Sequence, residues 1–170
     1  MFDILKKIIK TGVITEAPPA PSDDLRFETE TLHKTIYKIF GRSLAIRHVD
    51  AGSCNGCELE IHALNNPYYN IEGLGIQFVA SPRHADLLLV TGPVSRHMVV
   101  ALQRTYDAIP NPKMVVAIGD CTCDRSIFGD TYATCGSVSK IIPVNLVVPG
   151  CPPSPMAILQ GILTLLKKLT

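Results

Sequence analysis

Tryptophan is absent from this 170-residue chain, and tyrosine and phenylalanine number five each, so large aromatic anchors for a binding surface are scarce. Charge of one sign is equally lacking. Lys and Arg total 16 against 15 Asp and Glu, and the net charge of +1 comes with no basic block and no acidic tail. That balance excludes nucleic acid as the main partner. No export signal is visible: residues 1–10 hold too short an apolar stretch and no small-residue cleavage site. A long apolar run is also missing. Residues 141–166 carry no charge, but Pro143, Pro149, Pro152, Pro153 and Pro155 break them into a strand, a loop and a later helix. No membrane span is expected, and a peripheral position follows. No Ser/His/Asp arrangement, phosphate-binding glycine loop or paired carboxylates stand out.

What is present is apolar. Hydrophobic residues make up 46% and charged residues 18%, a bias that points to a large core or to surfaces covered by partners. The length fits one domain with a substantial core. Six cysteines without an export signal do not read as a disulfide framework. They are either buried small hydrophobes and free thiols, or metal ligands.

Residues 1–22 read as an arm and linker, and residues 23–170 as a single domain. In the arm, Phe2, Leu5, Ile8 and Ile9 fall on one helical face and Lys6, Lys7 and Lys10 on another. Such a helix suits a lipid surface or a groove in another subunit, and its shortness favours the groove. Pro18, Pro19 and Pro21 mark the linker. A helix is expected from Asp24 to Ile39, with Ser22 or Asp23 as its cap. Strands are expected at Leu44–Val49, Ile76–Val79, Leu87–Val90, Met114–Ile118 and Leu146–Val148. Helices are expected near Glu58–Leu64, from a Ser95 cap to Ala108, and at Met156–Leu166. Continuous apolar strands alternating with helices predict an α/β fold, a flavodoxin-like open parallel sheet with helices on both faces.

Against that pattern the cysteines acquire positions. Cys54 and Cys57 follow the first strand, Cys121 the fourth and Cys151 the fifth. In an open parallel sheet these turns share the carboxyl edge, where ligands of α/β proteins bind. Four thiolates gathered there are what an iron–sulfur cube requires. Gly52, Gly56, Gly119, Gly136 and Gly150 lie in or near the same loops, although glycines also occur in ordinary turns. Cys-x-x-Cys alone also fits a thioredoxin-like pair or half a zinc site. Three further loop cysteines count against the first. Against the second, Cys121 and Cys123 are too close for the usual second zinc pair, and Cys151 would go unused. Spacing therefore favours iron and sulfur, with a zinc-stapled interaction module as the alternative from another class.

The run Cys54-Asn55-Gly56-Cys57-Glu58, then Ser81 to Asp86, Gly119-Asp120-Cys121 and Pro149-Gly150-Cys151-Pro152-Pro153 resembles the superfamily of the 20-kilodalton complex I subunit and the NiFe-hydrogenase small subunit. The likeness covers about residues 42–168. Complex I subunits have adjacent cysteines in the first motif, whereas Cys-x-x-Cys is the hydrogenase form. The short chain after Cys151 is similar to that of group 4 membrane-bound NiFe hydrogenases, of formate hydrogenlyase type. The resemblance implies one 4Fe–4S cluster on Cys54, Cys57, Cys121 and Cys151, proximal to a nickel site in a separate large subunit. It further implies a ferredoxin-like partner, membrane subunits of the complex, and a peripheral place on the cytoplasmic side of the cell membrane. Glu58 matches an acidic position beside the cluster, a candidate for proton movement; no catalytic group for hydrogen chemistry is expected here. The quinone-reducing arm of a complex I-like enzyme is the alternative within the superfamily.

Two cysteines depart from the pattern. Cys123 is close enough to Cys121 to compete as a ligand, but Cys121 follows Gly119-Asp120, where the third ligand falls; Cys123 and Cys135 read as spare buried thiols. Arg83 and His84 either lie near the cluster or a partner subunit and tune its potential, or belong to a solvated loop. His62 reads as a surface histidine and His97 as an early residue of the fourth helix.

Overall fold

The computed structural model of the chain describes residues 2–12, 23–123 and 128–169, and for 23–29 the backbone course only. The Ser22 cap and the proline linker lie outside the described residues. Helix α1 (Phe2–Thr11) and helix α2 (Asp23–Phe40) precede an alternation of strands and helices: β1 (Leu44–Asp50), α3 (Gly56–Ala63), β2 (Ile76–Phe78), β3 (Leu87–Thr91), α4 (Val99–Ala108), β4 (Met114–Ile118), β5 (Leu146–Val148) and α5 (Pro155–Lys167). Short 3-10 turns occupy Pro82–His84, Asp120–Thr122 and Val138–Lys140.

The five strands form one sheet in the order β2-β1-β3-β4-β5, every adjacent pair parallel. This is the flavodoxin-like doubly wound order, which reverses direction beside β1. Register runs level across the centre, with Ile46 opposite Leu87 and Leu87 opposite Met114.

Successive strand residues face opposite sides, and both sides are apolar. Leu87 and Leu89 join Ile46, Val116 and Ile118 in a core beneath α2, α3 and α5; Leu88 and Val90 join Val115, Ala117, Leu102 and Ile109 in a second core under α4. Helix α5 begins at a Ser154 side chain that accepts from the Ala157 N–H at 3.3 Å, and Pro155 fits the first helical position because its missing N–H has no partner to lose. At Gly161 a methyl group would meet Val148 at 2.5 Å, so only glycine lets α5 lie this close to β5.

One expected boundary is wrong. Ser95 does not cap α4, which starts at Val99 after Met98. Ser95 is drawn instead into an antiparallel bridge with Thr134, and its N–H donates to Ala51 O at 2.7 Å. His97 therefore precedes the helix and is exposed.

Candidate functional site

The carboxyl edge of the sheet is built turn by turn. After β1, the Asp50 carboxylate accepts from the N–H groups of Gly52 and Ser53, each at 2.7 Å, and Ser53 Oγ accepts from Asn55 N at 3.1 Å. Burial opposes ionisation of Asp50, but these donors outweigh it and hold its pKa below the usual carboxylate value. The same turn lies against Gly92, where a methyl group would sit 2.6 Å from the Ser53 backbone. This closes the approach of β3 to the loop that carries Cys54. Cys54 is exposed, and Cys57 is buried in the first turn of α3.

The loops after β4 and β5 are tied to each other. Asp120 N donates to Gly150 O at 2.9 Å, and Gly150 N donates back to Asp120 Oδ1 at 2.8 Å. Gly119 adopts φ 93° and faces Cys57: a methyl group there would lie 2.7 Å from the Cys57 sulfur. The loops bearing Cys57, Cys121 and Cys151 thus converge, as the strand pattern predicts.

Electrostatics report the same convergence. The Cys57 thiol is pushed up to about 12, first by burial and then by Glu58, Cys121, Cys54 and Cys151. Cys121 is also raised, first by burial, then by Cys151, Cys54 and Asp120, and by a hydrogen bond with Cys151. Four thiolates this close repel one another, a strain that a positively charged metal centre relieves. Neither Cys123 nor Cys135 figures among the groups that act most on these thiols. Cys135 lies against the second core and Cys123 lies 4.0 Å from Thr122 Oγ1. Among the described residues, no three His, Cys, Asp or Glu side chains close tightly enough to hold a single metal ion. Four thiol donors beside a glycine cradle are the chemistry that a soft, sulfur-preferring metal centre takes.

Glu58 is 8% exposed and neither carboxylate oxygen has a hydrogen-bond partner. The His48 ring lies beside it, with Nε2 at 3.9 Å from Oε1; the same nitrogen lies 3.0 Å from Thr91 Oγ1. Burial lowers the His48 pKa, and Arg47 and His62 add to it; Glu58 and Asp50 pull the other way without prevailing. Both residues border a cavity of about 460 Å³ shared with Arg47, Asn55 and His62. His62 is exposed there, in keeping with a surface reading.

His48 was not singled out by sequence reasoning. The available signal was a polar residue in register with Leu44 and Ile46 at the carboxyl end of an otherwise apolar strand face. Arg83 and His84 are exposed in the 3-10 turn before β3, on the amino side of the sheet. The five residues of β3 separate that turn from the cysteine edge, about 13 Å along the strand. The pair therefore stands away from the cysteine edge, exposed to whatever covers that side of the sheet.

Comparison with known proteins gives the chain its family. Residues 54–165 match the family described as NADH ubiquinone oxidoreductase, 20 Kd subunit, and the chain belongs to that family. It is 48% identical over 145 residues to the probable membrane-bound hydrogenase subunit mbhJ of Pyrococcus furiosus, covering 84% of this chain and 87% of that one. It is 43% identical over 131 residues to formate hydrogenlyase subunit 7 of Escherichia coli, covering 77% of this chain but only 51% of that longer protein. Among solved structures, a chain of the membrane-bound sulfane sulfur reductase, an archaeal respiratory membrane complex, superposes with a TM-score of 0.67 at 34% identity, over 82% of this chain and 76% of that one.

Proposed function

We propose that this chain is the electron-transfer subunit of a membrane-bound NiFe hydrogenase and carries one 4Fe–4S cluster on Cys54, Cys57, Cys121 and Cys151. The observation that supports it most is the convergence of these four thiols from three separate loops on one sheet edge, close enough that the others raise the proton affinity of Cys57 and Cys121. When bound, such a cluster accepts and releases single electrons. The chain's own contribution is to hold the thiolates, through the Asp50 turn, the Asp120–Gly150 tie and the space kept open at Gly119. Glu58, next to Cys57 and bordering the cavity, is the residue placed to hold a proton beside the cluster. The hydrogen chemistry belongs to a nickel-bearing large subunit, with a ferredoxin-like subunit on the other side of the electron path and membrane subunits beneath. Residues 1–22 serve as an arm and residues 23–170 as the iron–sulfur domain, peripheral to the membrane on its cytoplasmic side.

The family name favours a second reading, the quinone-reducing arm of a complex I-like enzyme. The Cys54-x-x-Cys57 spacing, together with high identity to hydrogenase subunits over most of the chain, places the hydrogenase reading first. Purified complex should contain iron and acid-labile sulfide, the iron in slight excess because the nickel site adds iron without sulfide, and should reduce a viologen dye with hydrogen. Zinc without sulfide would overturn the cluster. Iron and sulfide without hydrogen-dependent reduction would move the chain to the quinone arm.

A further inference from the structure

The amphipathic arm is the feature that the cysteine site does not absorb. All of α1 is exposed, and Phe2, Ile4, Leu5, Ile8 and Ile9 are each 50–81% exposed. At about 100° per residue, these five occupy one half of the helix circumference. Asp3, Lys6, Lys7, Lys10 and Thr11 fill the other half, with no polar side chain among the apolar ones. A ten-residue helix is too short to persist alone in water, so this face requires a surface to cover it.

Charge distinguishes the two candidate surfaces. Three lysines against one aspartate sit on these ten residues, whereas the whole chain has a net charge of only +1. Cationic character is thus concentrated on α1 and the rest of the chain is slightly acidic. A groove in a protein needs the apolar half and has no use for a cationic half facing away from it. An anionic bilayer interface uses both halves at once, the apolar side chains among the acyl ends and the ammonium groups among the phosphates.

We propose that α1 lies in the headgroup layer of an anionic bilayer, apolar half inward and Lys6, Lys7 and Lys10 toward the lipid phosphates. The shortness that argues for a protein groove loses its force once the chain is already held at the membrane. This step rests on the proposed membrane complex: partner subunits supply the anchorage, α1 then meets lipid as an intramolecular contact, and a weak helix suffices.

The test is hydrogen exchange at residues 2–11 in the intact complex, in detergent, in phosphatidylcholine nanodiscs, and in nanodiscs that also contain phosphatidylglycerol. Exchange should be slowest in the anionic discs, by about tenfold or more relative to detergent. Lys6→Gln/Lys7→Gln/Lys10→Gln should erase the difference between the two disc types, and Ile8→Glu should remove protection in both. Equal protection in all three media would place α1 in a subunit groove and overturn the proposal; so would the absence of protection in every medium. Hydrogen-dependent dye reduction read on the same samples keeps the two ideas apart, because an inactive complex with lipid-protected α1 would sink the hydrogenase reading alone.

Discussion

Cys57 and Gly119 meet across the carboxyl edge with no room for a methyl group between them, and that contact defines what substitution there must do. Gly119→Ala would force a backbone region essentially reserved for glycine, costing about 1–3 kcal/mol, and would press on the Cys57 sulfur at 2.7 Å. Iron and sulfide content of the purified complex should fall sharply for Gly119→Ala. It should not fall for Gly129→Ala, where φ is also positive but nothing lies within 4 Å of the added methyl. Replacing Cys54, Cys57, Cys121 or Cys151 by Ala should remove the cluster, while Cys123→Ala and Cys135→Ala retain it. Loss of iron in Cys123→Ala with retention in Cys121→Ala would show the third ligand to be misassigned. Asp50 gives a pH signature. Its folded pKa is depressed, so its contribution is complete above the unfolded carboxylate range, near pH 4, and is lost as pH falls through the lower folded value. Melting of the cluster-free chain should therefore decline more steeply below about pH 4 in wild type than in Asp50→Asn. The convergence of the loops that carry Cys54, Cys57, Cys121 and Cys151 was legible in the sequence because each of those loops follows an apolar strand. His48 was not: its place beside Glu58 depends on how α3 folds back over β1, and its contact with Thr91 on β1 lying next to β3.

At the scale of elements, the loops that follow β1, β4 and β5 are held in part by backbone hydrogen bonds and in part by whatever joins the four thiols. The ties include Ala51 N to Thr91 O, Ser95 N to Ala51 O, Gly119 N to Val148 O, the Asp120–Gly150 pair and the Asp50 turn. Without a cross-link, nothing covalent joins the three loops, and such ties alone hold them together. Hydrogen exchange over residues 52–58, 119–123, 128–136 and 149–155 should be faster in the cluster-free chain than in the loaded one. The central strands β1, β3 and β4, buried on both faces, should change little. Loops that exchange equally slowly in both states would contradict a load-sharing cluster. The strands themselves were readable from apolar runs, and their ends fell within a residue or so of expectation. Their order was not, because parallel strands linked by helices leave neighbour choice to three-dimensional packing. The start of α4 was misread for a related reason: Ser95 is a good cap in isolation, but its partner Thr134 is 39 positions away, and a local pattern cannot register that bridge.

For the whole molecule, the question raised by its apolar composition is where the excess goes. Much of it is buried in the two cores on either side of the sheet, and a separate share is exposed on α1. Crossing a bilayer takes about 20 consecutive apolar residues in a helix, and among the described residues no helix is long and apolar enough to do so. The most apolar helix, α5, has 13 residues, and Ile158, Leu159, Ile162, Leu163, Leu165 and Leu166 are already buried within the chain. Turning it toward lipid would require opening the core beneath β4 and β5. An interfacial helix is different, because α1 can leave the surface without unfolding anything. Alkaline carbonate, which strips peripheral proteins, should therefore release this chain from membranes that carry the complex while the spanning subunits stay behind. Deleting residues 1–22 should loosen its hold further and leave the iron content unchanged, since all four proposed ligands lie beyond residue 50. A chain that remains in the carbonate-washed bilayer after its partners are gone would mean that apolar surface beyond α1 enters the membrane, and the peripheral assignment would fail.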